Sequence, residues 1–250
     1  MTIVLVHGAW SGGWSWRDAA RLLRRIGYEV YAPSLTGLSE RAHVRPQNVN
    51  LTSHVEDVAG LLRYEDLNDV LLVGHSYGGM VITGAADRER ERLAGLVYVD
   101  AFLPESGQAL WDIVTPDSKA VQQKMADEFD GGLSVPRPPH APPPKAIARI
   151  WPPAFSPQPV GTTAEPYVSA RGASTMDADR WPPRHYALCT AYKGSIFHSL
   201  AAKVQGQPGW SYSEFDAQHD VVRTHPALVA ERISGIAERL GIRKPYAMTP

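Results

Sequence analysis

Ser76 stands in Gly74-His75-Ser76-Tyr77-Gly78, directly after the apolar run Val70-Leu71-Leu72-Val73. A serine hydroxyl is a weak nucleophile until a turn exposes it and a base takes its proton. A G-x-S-x-G between a buried strand and a helix builds such a turn, the nucleophile elbow. Glycine is needed at 74 and 78 because a side chain there would collide as the backbone folds back on itself. The small-residue segment from Met80 to Ala86 supplies the helix. Attack on a carbonyl also needs two backbone N–H donors aimed at the developing oxyanion. One is expected from the residue after the nucleophile, Tyr77, and the other from a loop after an early strand. Ile3-Val4-Leu5-Val6 runs into His7-Gly8-Ala9, which makes the Ala9 N–H the second donor. The His7 side chain reads as a brace for that loop.

These groups require strands that end together. Thr2–Val6, Tyr28–Ala32, Val70–Val73, Leu96–Val99, Tyr186–Thr190 and Tyr212–Phe215 read as strands. A helix from Trp16 to Ile26 stops at Gly27, a favourable residue just past a helix end. Ser53-x-x-Glu56 reads as a capping box ahead of Val55, Val58, Leu61 and Leu62. The last helix runs from about Pro226 to Leu240. Strands alternating with helices predict an α/β fold, a mostly parallel sheet of about six strands covered on both faces. Residues 104–183 break the alternation, with ten prolines between Pro136 and Pro159. Proline removes donors and stops helices, so this segment is not sheet core. The expected organisation is a core of 1–103 and 184–250 with 104–183 inserted as a proline-rich cap or lid. Helices are expected near Leu110–Val114 and Ser118–Phe129, with Trp111, Phe129, Trp151, Phe155 and Trp181 as candidates to line a pocket.

Four stretches carry a family resemblance: HGAWSGGWSW from His7, GHSYGGM at 74–80, Val97-Tyr98-Val99-Asp100-Ala101-Phe102-Leu103-Pro104, and Gln218-His219-Asp220-Val221-Val222. The chain resembles α/β-hydrolases of the small plant-esterase and hydroxynitrile-lyase type, which also has bacterial members. The resemblance covers roughly 1–104 and 184–241. It implies a Ser–His–acid triad, no cofactor or metal, a lid after the fourth core strand, and small ester, lactone or cyanohydrin substrates.

Within that resemblance His219 is the base, since it follows the last strand and precedes the last helix. His225, just before Pro226, reads as a helix cap. His75 supports the elbow, and His185 and His198 read as surface or lid-contact residues. The acid departs from the family pattern, which puts an aspartate two or three residues beyond a threonine like Thr190. Here the loop reads Thr190-Ala191-Tyr192-Lys193-Gly194-Ser195, without a carboxylate. Three readings stay open: Asp100 supplies the carboxylate from the neighbouring strand end, the site is a Ser76–His219 dyad, or the chemistry is not hydrolytic. Asp216 and Asp220 are expected to point away from His219.

With 250 residues, a net charge of −1 and a pI of about 6.8, the chain suits one such unit and gives no reason to expect nucleic acid or an anionic membrane as partner. A lone cysteine, Cys189, allows no intramolecular disulfide and fits a cytoplasmic, reducing setting. The sequence shows neither an export signal nor a membrane-spanning run. The expected partner is a small molecule, with a homodimer left open. The function expected is a serine hydrolase of a small carboxylic ester or lactone. The alternatives are a lyase, decarboxylase or cyclisation catalyst on the same scaffold, and a ligand-binding pseudoenzyme. Gly8, where cyanogenic lyases carry a hydroxyl residue, and Asp220, in place of their lysine, speak against cyanohydrin cleavage.

Overall fold

A computed structural model of the chain describes residues 2–138, 155–172 and 174–240. The apolar runs of β1 (Thr2–Val6), β3 (Val70–His75) and β4 (Leu93–Val99) are buried almost end to end rather than on alternate residues. That pattern requires helices over both faces of a parallel sheet. With β2 (Glu29–Tyr31), β7 (Arg184–Cys189) and β8 (Trp210–Phe215) they form six parallel strands in the order β2-β1-β3-β4-β7-β8. Among the described residues two further strands, β5 (Ser134–Val135) and β6 (Gln158–Pro159), make a separate antiparallel pair.

Strand order reverses at β1: the chain steps out to β2 and then returns to the other side as β3. A crevice opens where such a reversal occurs, at the carboxyl ends of the strands. Register sharpens this. Val6 pairs with Gly74, and His75 with Val99, so the segments beginning at His7, Ser76 and Asp100 leave the sheet side by side.

On one face lie α1 (Arg17–Arg25) and α9 (Pro226–Arg239), which bury Leu23 and Ile233 against Ile3, Leu5, Leu71 and Val73. The other face carries α2 (Leu51–Tyr64) and α3 (Gly78–Glu89), packing Val55, Val58 and Ile82 on Val4 and Leu72. Here the expected capping box moves. Asn50 caps α2, its side chain accepting from the Ser53 N–H at 2.9 Å. The earlier start puts Leu51 in helical register with Val55, Val58 and Leu62, and all four are buried.

Between Pro104 and Pro183 the chain forms α4 (Leu110–Ile113), α5 (Pro116–Asp130) and α6 (Gly161–Ala164) besides the short strand pair. Thr115 caps α5, proline opens it, and Gly131 ends it at φ +69°. Of the aromatic candidates, Trp111 and Trp181 are buried in the main apolar cluster and Phe129 is exposed. Trp151 and most of the proline run lie outside the described residues. Among the described residues the remaining α-helices are α7 (Ile196–Val204) and α8 (Val221–Thr224). Among the described residues no helix is long and apolar enough to cross a membrane.

Candidate active site

Ser76 sits at the tip of the β3-to-α3 turn with φ +54°, a left-handed conformation that a non-glycine residue adopts only when its surroundings hold it. The flanking glycines make the turn possible by close packing. A Cβ on Gly74 would lie 2.7 Å from the Gly78 carbonyl oxygen, and one on Gly78 2.7 Å from that of Val6. The turn is tied to β4, since the Ser76 N–H donates to the Val99 oxygen at 3.2 Å and the Phe102 N–H to the Ser76 oxygen at 3.0 Å.

His219, in the loop after β8, places Nε2 2.9 Å from Ser76 Oγ. Its Nδ1 lies 2.6 Å from Asp100 Oδ2. A carboxylate only accepts, so Nδ1 carries the hydrogen and Nε2 is left as the acceptor facing the serine hydroxyl. Asp100 is itself fully buried at the end of β4 with φ +42°. Its Oδ1 accepts from the Cys189 N–H at 3.0 Å and its own N–H donates to the Ala187 oxygen at 2.8 Å, so β7 fixes the carboxylate from the side. The loop that lacks a carboxylate contributes the Tyr192 ring, 5.5 Å from that of His219, while Lys193 is exposed.

Rings hold the imidazole on both sides. Phe197 stacks on it at 4.7 Å and 7°, and His75 lies 4.7 Å away at 35°. The His75 Nε2–H donates to the His219 carbonyl at 2.8 Å. Burial, reinforced by the neighbouring His219, lowers the His75 pKa to about 3, so it acts as a neutral strut. His7 is the brace expected of it: Nδ1–H donates to the Gly8 oxygen at 2.8 Å and Nε2 accepts from the Leu35 N–H at 3.0 Å. Burial lowers its pKa to about 4.

One histidine differs from expectation. His185 lies inside β7, buried between Ser211 and Ser213 at 2.7 and 2.8 Å, because β8 pairs alongside and its serines give both ring nitrogens partners. His225 is the N-cap residue of α9, as expected, and its side chain bonds to Thr224 Oγ1 at 2.8 Å rather than to the helix backbone. Asp216 is exposed, and Asp220 is ion-paired with Arg223. Burial pushes the Asp220 carboxyl up, but the Arg223 hydrogen bond and charge outweigh it and hold it below its ordinary value.

Gly8 packs directly on the serine, its would-be Cβ 3.1 Å from Ser76 Cβ, which brings Ala9 to the same cavity wall. Among the described residues nothing accepts from the N–H of Ala9 or of Tyr77. The Tyr77 ring is buried, and its hydroxyl lies 2.8 Å from His54 Nδ1, which accepts from it because Nε2–H donates to the Thr36 oxygen at 2.7 Å. Neither His54 nor Gln158, described below, carries a local sequence signal; both come from distant segments that fold brings to the elbow.

Two cavity lobes, of about 570 Å³ and about 380 Å³, share Ala9, Trp10, Ser76, Tyr192 and His219 as walls. The larger continues to Phe155, Asp220 and Arg223. The smaller is mostly apolar, with Phe102, Leu110, Val114, Ile196 and Phe197. The two lobes differ in charge: Arg137, Asp220 and Arg223 line only the larger one.

Residues 3–232 match the profile of the alpha/beta hydrolase family. This chain belongs to that family. A carbendazim hydrolyzing esterase from Nocardioides sp. (strain SG-4G) is 39% identical over 245 residues, covering 93% of this chain and 98% of that protein. A pyrethroid hydrolase from Sphingobium wenxiniae is 33% identical over a shorter stretch, 46% of this chain and 39% of the relative. Among solved structures, an extracellular alpha/beta-hydrolase from a Paenibacillus species superposes with a TM-score of 0.80 at 24% identity, covering 94% of this chain and 98% of that one. Its described likeness is to the tobacco salicylic acid binding protein 2. The expected kinship with plant esterases and bacterial members of this hydrolase family is borne out.

Proposed function

We propose that this α/β-hydrolase is a serine hydrolase of small carboxylic esters or lactones, with Ser76 as nucleophile, His219 as general base and Asp100 as the acid that orients it. The observation that carries the reading is the unbroken series Ser76 Oγ, His219, Asp100 at 2.9 and 2.6 Å, beside two backbone N–H groups that find no acceptor among the described residues. As Ser76 Oγ bonds to the substrate carbonyl carbon, its proton passes to His219 Nε2. The displaced electron pair collects on the carbonyl oxygen, which the Ala9 and Tyr77 N–H groups receive. Asp100 stabilises the imidazolium formed in that step. Collapse expels the alcohol with the proton from His219, and water then repeats the sequence on the acyl-enzyme. The esterase relative at 39% identity over nearly the whole chain supports the same reaction class.

In this reading 104–183 is the cap over a core of 1–103 and 184–250, supported by Val114, Ser118 and Gln122 standing on the same cavity as Ser76. Cytoplasmic placement remains our inference from the single, buried Cys189. Asp100 at 2.6 Å from Nδ1 supports a triad over the Ser76–His219 dyad; the non-hydrolytic reading on the same scaffold is the alternative, in keeping with an alpha-hydroxynitrile lyase among the relatives. A fluorophosphonate probe should label the wild-type protein at Ser76, with p-nitrophenyl acetate turned over, and Ser76→Ala should lose both. A folded wild type that neither reacts nor hydrolyses would overturn the assignment.

A further inference from the structure

We infer that Gln158 is a positioning residue for the oxyanion site: its carboxamide, delivered by β6 from the 104–183 segment, clamps the peptide that follows Ala9. This rests on the serine-hydrolase reading above. Trp10 holds φ +60°, a left-handed conformation that a non-glycine residue keeps only where contacts offset its strain. Two contacts do so, and both come from the short strand pair. Gln158 Oε1 accepts from the Trp10 N–H at 2.9 Å, and the Trp10 indole N–H donates to the Val135 oxygen at 2.9 Å.

The direction of the Gln158 amide is dictated. The Trp10 N–H can only donate, so Oε1 must face it. Nε2 then donates to Thr162 Oγ1 at 2.6 Å, and Thr162 spends its own hydrogen on the Pro159 oxygen at 2.6 Å. Gln158 is fully buried, so flipping the amide would set donor against donor with no water to relieve it. Thr162 also lies beside the Tyr77 hydroxyl. One buried polar chain therefore touches the Trp10 peptide next to Ala9 directly and the Tyr77 hydroxyl through Thr162. The Ala9 N–H belongs to the adjoining Gly8–Ala9 peptide, joined to the clamped one through Ala9 Cα; by fixing the Trp10 N–H, Gln158 holds that Cα in place and restrains the line along which the Ala9 N–H points. The donor geometry of the core is in this way set from the cap.

The test compares wild type, Gln158→Met, which keeps the length but neither polar group, and Gln158→Glu, which keeps an acceptor for Trp10. Substrate is p-nitrophenyl acetate. The second probe is an aryl trifluoromethyl ketone, whose carbonyl carbon takes Ser76 Oγ, the serine proton passing to His219 while the new oxyanion enters the hole. Losing one oxyanion donor outright costs about 10²–10³ in kcat, so a loosened one should cost Gln158→Met about tenfold or more. KM should stay within about threefold, ketone affinity should fall in parallel with kcat, and Gln158→Glu should recover most of both. A merely structural role would lower the amount of folded enzyme without weakening the ketone per active site. If Gln158→Met does not fold, Thr162→Val, which leaves the amide unanchored on its far side, is read by the same kcat and ketone measurements. An active, ketone-sensitive wild type with kcat and ketone affinity unchanged in the folded variant overturns this inference alone. A wild type that turns over nothing and ignores the ketone overturns the parent reading, and this one with it.

Discussion

Acid should destabilise this protein through histidines that the fold keeps neutral, and His185 allows the effect to be isolated. It lies on β7 between Ser211 and Ser213, and burial, assisted by the Arg239 and Arg232 charges, lowers its pKa to about 4. An unfolded imidazole titrates near 6.5. Between those values the unfolded chain binds the proton and the folded one does not, so stability rises with pH across that window. The contribution is complete above about 6.5 and is lost as pH falls toward 4. From pH 7 to pH 5 the unfolded imidazole goes from mostly neutral to almost fully protonated, whereas the buried one takes up about a tenth of a proton. Integrating the difference gives a loss of about 2 kcal/mol from this residue alone. His7 and His54, lowered by burial to about 4, and His75, lowered to about 3, act in the same direction. Urea unfolding of wild type and His185→Gln, followed by tryptophan fluorescence at both pH values, reads the effect as a difference of differences. The variant should lose about 2 kcal/mol less than wild type on going to pH 5, whatever its stability at pH 7. Equal losses in the two proteins would show that burial of His185 does not suppress its protonation.

Asp100→Asn should lower kcat by about 10⁴-fold with the fold retained, because the amide N–H would face Nδ1 and drive the hydrogen to Nε2, where it blocks the serine. Steady-state ester turnover measures it, and a fall below about tenfold would remove Asp100 from the mechanism. Gly78→Ala should destabilise the protein by about 1–3 kcal/mol, since the new methyl would press on the Val6 carbonyl oxygen, a backbone atom that cannot step aside. An unchanged denaturation midpoint would refute that packing argument.

Elements whose signal is local were legible in the sequence. The buried runs of β1 and β3 gave parallel strands, and the glycines around Ser76 gave the elbow, because close backbone approach excludes other residues there. Asp100 was legible only as one of three readings: the missing carboxylate is visible in Thr190–Ser195, but which strand end replaces it depends on the pairing of β4 with β7. Gln158 was not legible at all. Its partners are 148 residues away at Trp10 and four residues away at Thr162, and a glutamine in a proline-rich stretch carries no periodicity to flag it. His185 misled for a related reason, since its burial follows from serines on a strand that pairs only in the fold. Asn50 displaced Ser53 as the helix cap because Leu51 needed to reach the core.

Carrying the carboxylate on β4 also changes what the segment after β7 is free to become. Where that segment must deliver an aspartate to the base, its length and conformation are constrained by the reaction. Here Tyr192, Gly194, Ser195 and Ile196 border the smaller lobe without touching Nδ1. In the proposed mechanism the side chains at 194 and 195 can therefore be varied without touching the Ser76–His219–Asp100 series, provided the backbone still delivers Phe197 to its stack on His219. For an engineer wanting a different ester accepted, those positions are the place to put a library, and Asp100 is the residue to leave alone.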